Sequence, residues 1–351
     1  MKYSFIILLG LFSLMACKNE TDELTFEKEK VAKQVIESIT NSVYLKTYSQ
    51  LDSQSNMLLN AIISLKDSCT EQQKLTCQTQ WKLTRQYWEY SEAWLFGPVS
   101  TESIDPSIDT WPIDNQIIAS MCQQSQIWSD SLINTLDGSQ KGFHAVEYIL
   151  FGENGNKSAS DFTAGELNLL EALARNLNFQ CHNIFLNWNA SSDAYHLKLL
   201  NTPNELYNNQ AVVLIEMSQS LGAICDEVAN AKIQDVLIGQ DKMAVESPFS
   251  SNSMADFKNN VNGVKMVYNG ANNTTGDKGL SQVVKLFNLD LDRRIQSAIL
   301  ASEYALNQVS VPFEQAIFTQ PVQLQNAVDQ LLVLQDLLNT ELVQLIQKQY
   351  Q

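Results

Sequence analysis

The sequence predicts an all-α protein built as two helical bundles behind a lipoprotein signal peptide. Three observations carry that reading. Apolar residues recur at steps of three and four through nearly every long segment, most clearly Leu324, Val328, Leu331, Leu334, Leu338, Leu342 and Leu345. That spacing is the stripe a helix presents to a bundle core. Breakers are scarce, 13 glycines and 7 prolines in 351 residues, and no β-hairpin signal separates the periodic stretches. With 44% apolar and 18% charged residues, the composition is that of a chain with real cores rather than a disordered one.

The first segment is an address. Residues 1–16 open with Lys2, continue with an apolar run over 5–14 and close on Leu14-Met15-Ala16 before Cys17. A positive start, a short apolar core and a small residue before the break read as a secretory signal. Cysteine directly after the small residue resembles a bacterial lipoprotein signal, with Cys17 the lipidated first residue. The run is too short to span a bilayer, which takes about 20 apolar residues. Residues 17–29 are polar and acidic and are expected as a flexible tether.

The N-terminal bundle is assigned to 30–190, with helical patterns over 28–66, 71–96, 113–134, 139–151 and 164–188. Residues 191–204, polar and carrying Ser191-Ser192-Asp193, form the linker. The C-terminal bundle covers 205–351, with patterns over 205–235, 252–268, 279–308 and 313–349. Each half has the size of a helix bundle. Two segments resist helix: 97–112, with Pro98, Pro106 and Pro112, and 269–279, rich in glycine and asparagine. Loops of this kind, presented by a rigid scaffold, often carry function.

Beyond Cys17 the cysteines are Cys69, Cys77, Cys122, Cys181 and Cys225, an odd set that leaves a free thiol. Cys69 and Cys77 flank a polar segment between two helical patterns, and an exported protein permits disulfides, so these two are expected to pair. The others sit in apolar periodic stretches as packing residues. The net charge of −16, with no Lys/Arg stripe, excludes nucleic acid as a partner and favours cations.

The stretch Gly142-Phe143-His144-Ala145-Val146-Glu147-Tyr148-Ile149-Leu150-Phe151-Gly152 is the most informative, with Ser139 as its expected N-cap and Gly152 as its stop. Placed at 100° per residue, its apolar side chains cover most of the circumference, which marks a buried helix. His144 and Glu147 share one face of it. Burying an imidazole and a carboxylate is costly unless they are paired or bind a metal, so two readings stand: a metal or polar-ligand site, and a private His–Glu hydrogen bond in the core. Trp81, Arg85, Trp88, Glu92 and Phe96 fall in one narrow sector of another helix, interleaving Arg85 and Glu92 with large aromatics. These two read either as part of a site or as a structural ion pair. Glu89 lies at the sector's edge, beside Lys82 and Gln86 on what reads as the solvated face. Asp105, Asp109, Trp111 and Asp114 follow in the loop, placed either to close a site or to cap and turn the chain. His182 and His196 read as ordinary helix or surface residues.

Gly142-Phe143-His144-Ala145-Val146-Glu147 resembles the GxHxxE motif of the imelysin family, which includes iron-regulated envelope proteins and proteins described as insulin-cleaving metallopeptidases. Trp88-Glu89-Tyr90-Ser91-Glu92-Ala93-Trp94-Leu95-Phe96-Gly97-Pro98-Val99 resembles a second family segment, and Ile108-Asp109-Thr110-Trp111-Pro112-Ile113-Asp114 a third. Met254-Ala255-Asp256-Phe257, Gly263 and Val267-Tyr268-Asn269-Gly270 are similar to the family's second-bundle pattern. The resemblance implies two bundles with a polar site near their interface and a role tied to iron uptake in the envelope. It makes His144 and Glu147 the motif residues and transfers Arg85, Glu92, Asp109 and Asp114 beside them.

The combined reading is a lipid-anchored envelope protein, at the outer membrane on its periplasmic or surface side, binding iron or an iron-containing ligand in uptake. Metal ligands are expected from His144, Glu147 and Glu92, with Arg85, Glu89, Asp109, Trp111 and Asp114 around them. Iron suits one histidine among carboxylates better than zinc does, since Tyr148 breaks the inverted zinc motif and the chain has only 3 histidines. Contact with the membrane is expected through the anchor alone, and other envelope uptake proteins are expected partners. The alternatives are a metallopeptidase using His144 and Glu147, with Glu147 as its catalytic residue, and a helical surface interaction module without a ligand.

Overall fold

The computed structural model describes residues 20–189, 194–271 and 276–350; the signal segment and Cys17 lie outside them. Among the described residues every regular element is helical and no strand occurs, as the periodicity requires. No helix there is long and apolar enough to cross a membrane.

Helix α1 (Glu20–Ile39) begins inside the segment expected as a tether. It runs through a π turn (Thr40–Tyr44) into α2 (Leu45–Asp67), and the junction residues stay in the right-handed helical region, so the pieces form one rod. Helix α3 (Glu71–Ser91) starts where the Thr70 side chain accepts from Gln73 N, with Glu71 on the positive helix end. It closes in a 3-10 turn, Glu92–Trp94.

The proline-rich stretch is less irregular than its composition suggests. Pro98–Thr101 and Asp105–Ile108 are short helical turns, each with proline at its start, where a missing N–H leaves no bond unmade. The helix expected over 113–134 splits into Asn115–Cys122 and Asp130–Asn134. Polar Gln123-Gln124-Ser125-Gln126 offers no apolar face, and Ser129 caps the second piece.

Helix α4 (Gly142–Phe151) carries the His144/Glu147 pair. Ser139, expected as its cap, belongs instead to a 3-10 turn, Gly138–Gln140. The helix starts at Gly142 with φ +77, and a Cβ there would lie 2.3 Å from the Ile108 carbonyl oxygen. Glycine therefore lets α4 pass against the short turn that presents Asp109. Gly152 ends the helix as expected. Helix α5 (Ala164–Asn189) packs on α2 and α4, and α2 on α3, which completes the first group of helices.

The second group comprises α6 (Gln210–Glu227), α7 (Ser253–Asn269), α8 (Leu280–Phe287), α9 (Leu289–Asn307), α10 (Pro321–Asp336) and α11 (Val343–Tyr350). The pattern over 279–308 breaks at Asn288, whose side chain accepts from Leu291 N and caps α9. A π turn, Val228–Gln234, extends α6, and a further one, Leu337–Leu342, joins α10 to α11. Helix α10 packs on α6 and α9, burying Leu324, Val328, Leu331 and Leu334. Within the expected linker, Tyr195–Leu200 is helical.

The groups are joined chiefly along α1 and along α3. Helix α1 packs on α6 and α8, with Lys278 N donating to Ser38 Oγ at 2.8 Å and Tyr350 donating to the Lys28 carbonyl at 2.9 Å. Helix α3 lies along α7, and the candidate site is built in that seam.

The expected Cys69–Cys77 disulfide is absent; both are free thiols. Cys69 is exposed in the turn before α3 and donates to the Ala159 carbonyl, whereas Cys77 lies two turns into α3 on its buried face. Burial raises the Cys77 thiol to about 12, so it is an inert packing residue.

Candidate functional site

The seam between α3 and α7 buries a cluster of charges: Arg85, Glu89 and Glu92 from α3 and its 3-10 turn, Asp109 from the following short turn, and His144 and Glu147 from α4. The second group of helices adds Lys232 from a π turn, Glu246 from the connection before α7, and Asp256 and Asn260 from α7 itself. Six carboxylates therefore face two permanent cations and one imidazole, all out of water. Buried charge of one sign in such excess requires compensation by protons or by a further cation.

Arg85 is the hub. Its Nη2 lies 2.6 Å from Glu89 Oε1 and 2.9 Å from Glu246 Oε1, its Nη1 pairs with Asp109, and the guanidinium sits 5.2 Å from the centre of the Phe143 ring. Asp109 Oδ2 also accepts from the Trp88 indole at 2.6 Å. Burial works against its charge, but the Arg85 guanidinium holds this carboxyl well below the usual carboxylate range.

His144 stands between two acids. Its Nδ1 lies 3.3 Å from Glu147 Oε2, and its Nε2 lies 3.1 Å from Asp109 Oδ1 without the alignment of a hydrogen bond, which leaves Nε2 buried and unpartnered. Burial and Arg85 oppose an imidazolium here; the acids on either side, Asp109 and Glu147, outweigh them and raise His144 to about 9. Glu147 is committed: its Oε1 accepts from Ser250 N at 2.7 Å and Ser250 Oγ at 2.6 Å. It orients the imidazole instead of facing the middle of the cluster.

On the other side of Arg85, Lys232 Nζ lies 2.8 Å from both Glu92 Oε2 and Glu246 Oε1. Asn260 Nδ2 donates to Glu92 Oε2 at 2.6 Å and Glu89 Oε2 at 2.7 Å. Burial raises Glu92 to about 8 and pushes Glu89 well above the ordinary range. Asp256, satisfied by Ser247 and Asn252, is raised to about 6, again by burial.

Most of the residues expected at a site thus converge. Glu89, expected around the ligands although its edge of α3 reads as solvated, is fully buried, because α7 covers that edge and Asn260 reaches both the Glu89 carboxylate and its backbone carbonyl. Asp114 stays outside the cluster: it caps the Asn115–Cys122 helix by accepting from Ile117 N at 3.0 Å. Trp111 is half-buried at the rim, its ring centre 5.3 Å from Lys232 Nζ. It helps line a small cavity of about 10 Å³ beside His144 and Glu246, closed on the far side by Met243, Val245 and Phe249. That is room for about one water-sized occupant. His182 pairs with Asp52 on the surface and His196 faces the Trp188 carbonyl, so neither joins.

Lys232, Glu246, Ser250 and Asn260 were not singled out by spacing, because they come from the other half of the chain. A faint signal exists in Lys232, the single cation within Val228-Ala229-Asn230-Ala231-Lys232-Ile233, and in Asp256 and Asn260, one turn apart on α7.

Two overlapping groups of donor atoms emerge, each with all its atoms within 4.8 Å of one another: Asp109, His144 and Glu246, and Glu89, Glu92, Asp109 and Glu246. The sequence model of the imelysin family matches residues 44–344. The chain belongs to the imelysin family. It is 28% identical over 265 residues to iron-regulated protein A of Synechococcus elongatus, covering 74% of this chain and 69% of that protein. Among solved structures, an iron-regulated protein A precursor from Parabacteroides distasonis superposes with a TM-score of 0.82 at 22% identity, over 92% of this chain and 96% of that one. An imelysin-like protein from Psychrobacter arcticum gives 0.73 at 15% identity, over 91% and 96%. At those identities the likeness is one of fold, and it places this imelysin's charge cluster in a shared all-helical scaffold.

Proposed function

We propose that this imelysin is a lipid-anchored envelope protein that holds one iron ion between Asp109, His144 and Glu246 and serves iron uptake, in concert with other envelope proteins. One observation carries the reading. His144 Nε2 and Glu246 Oε2 are buried without a hydrogen bond, and the two residues stand with Asp109 in one small group of donors. Polar atoms left unsatisfied in a core are costly, and a cation among them removes that cost. The donor set, one imidazole among carboxylates, suits iron or a similar oxygen-preferring ion. Glu147 holds the ring through Nδ1, the outer-shell carboxylate that a metal-bound histidine usually has. The iron-regulated relative and the excess of buried acid point the same way. The bound ion would supply positive charge and, as iron, a redox centre. The protein's share is to desolvate it, orient the imidazole and hold the acids.

The metallopeptidase alternative needs Glu147 as a free base, yet both its oxygens are engaged, by Ser250 and His144. Calorimetric titration of the purified mature chain with ferrous iron under anoxic conditions tests the proposal. One ion per chain is expected, with binding weakened at least tenfold in His144→Ala. If the wild-type chain binds no ion, the protein is left as a helical surface module and the proposal is lost.

A further inference from the structure

The second donor group already contains a cation. Lys232 Nζ lies 2.8 Å from Glu92 Oε2, 2.8 Å from Glu246 Oε1 and 3.9 Å from Glu89 Oε2, fully shielded from solvent. The face of Trp111 stands 5.3 Å away on another side, a cation–π distance. A metal ion would take these same oxygens at about 2.0–2.6 Å, so the ammonium stands where an ion would be coordinated. Asp109 and Glu246 belong to both donor groups. Shared carboxylates between neighbouring positions are how two-ion carboxylate sites are built, the ions about 3.5–4 Å apart.

We propose that Lys232 is a built-in replacement for the second ion of a two-cation carboxylate site, so that the protein takes a single divalent ion, in the His144 position. This rests on the reading of Asp109, His144 and Glu246 as the metal position. The backbone provides for the arrangement: Lys232 sits in a π turn, an insertion that proteins place at functional sites and that costs the helix some hydrogen-bond regularity. It does so here while leading a long cationic side chain into the seam. Unlike a bound ion, the ammonium cannot dissociate, so the carboxylate box keeps that positive charge when the metal leaves. Arg85 and Asn260 brace the same box: Arg85 shares Glu246 Oε1 with the ammonium and holds Glu89 Oε1, and Asn260 shares Glu92 Oε2 with it and reaches Glu89 Oε2. Glu246 Oε2 alone among the Glu246 oxygens is left unpartnered.

The decisive measurement is stoichiometry. Anoxic calorimetric titration with ferrous iron is expected to give one ion per chain for the wild type and two for Lys232→Met, which keeps an unbranched side chain one atom shorter and removes its charge. One ion in both, or two in the wild type, overturns the proposal. None in the wild type and one in Lys232→Met would support the lysine's role while refuting the His144 position; none in either would overturn both. Should Lys232→Met not fold, Glu92→Gln decides. With Lys232 resident, Glu92 serves the ammonium, and iron affinity stays within threefold of wild type. A loss of tenfold or more would mean that the ion enters the carboxylate box and Lys232 is displaced, which overturns the proposal.

Discussion

His144 and Glu147 lie one helical turn apart, yet their surroundings give them different tasks. Ser250 takes up one oxygen of Glu147 and the imidazole takes the other, while His144 keeps Nε2 free beside Asp109. The motif spacing made the pair legible; which of them faces the middle of the cluster depends on Ser250, 103 residues further along the chain. The same environment fixes a pH response. His144 is raised to about 9 and Glu92 to about 8 in the folded protein, both above their unfolded values, so the fold binds these protons more tightly than the unfolded chain does. Their stabilising effect is complete below the ordinary pKa of each group and is lost as pH rises through 8 to 9. Asp109 is depressed and acts oppositely, its contribution disappearing only in acid below the usual carboxylate range. The metal-free protein is therefore expected to melt at progressively lower temperature between pH 6 and pH 9. Differential scanning calorimetry across that range checks it; a flat or rising melting temperature would contradict the assignment.

At the scale of elements, the seam exists because α3 and α7 approach closely. Gly263 allows it: a Cβ there would meet the Tyr90 carbonyl oxygen at 2.3 Å and the Ala93 Cβ at 3.0 Å. With the helices that near, Asn260, one turn before Gly263, reaches Glu89 and Glu92. Gly263→Ala is expected to destabilise the protein by about 1–3 kcal/mol, the usual range for overpacking a tight contact, and to weaken iron binding by moving α7 away from α3. Denaturant midpoints and the calorimetric titration read the two effects. Helix existence was plain from periodicity, whereas breaks were not. Asn288 and Ser129 end or restart helices through single caps, and the π turns are invisible to a pattern that counts three and four. The burial of Glu89 was left open for a related reason: the edge of an amphipathic sector reads as solvated until another helix covers it.

At the scale of the molecule, no half owns the site. Arg85, Glu92, Asp109 and His144 come from the first group of helices, Lys232, Glu246 and Asn260 from the second, and α1 is packed among the latter. Separating the groups would break the buried Arg85–Glu246 and Lys232–Glu92 pairs and the Asn260 bonds to Glu89 and Glu92, a cost of several kcal/mol for each broken buried pair. The described body is therefore expected to unfold in one cooperative transition, not two. Ferrous iron at about 100 times its dissociation constant should shift that single transition upward by about 2.7 kcal/mol of stability. Two separate calorimetric transitions, with iron moving only one, would show that the seam does not couple the halves.

What the sequence determined by itself was the class of fold and the presence of an uncomfortable charge pair. Three-and-four periodicity, few breakers and a histidine and glutamate locked into an apolar helix are local facts, and local facts survive without knowing the tertiary arrangement. What the tertiary structure decided was the membership of the cluster. Lys232, Glu246 and Asn260 sit more than 130 residues from the charged groups they meet on α3 and its closing turn, and only the packing of the second group of helices on the first gives them a common address. Burial also set the charge states, because a carboxylate's proton affinity depends on the water and ions around it, which no stretch of sequence contains.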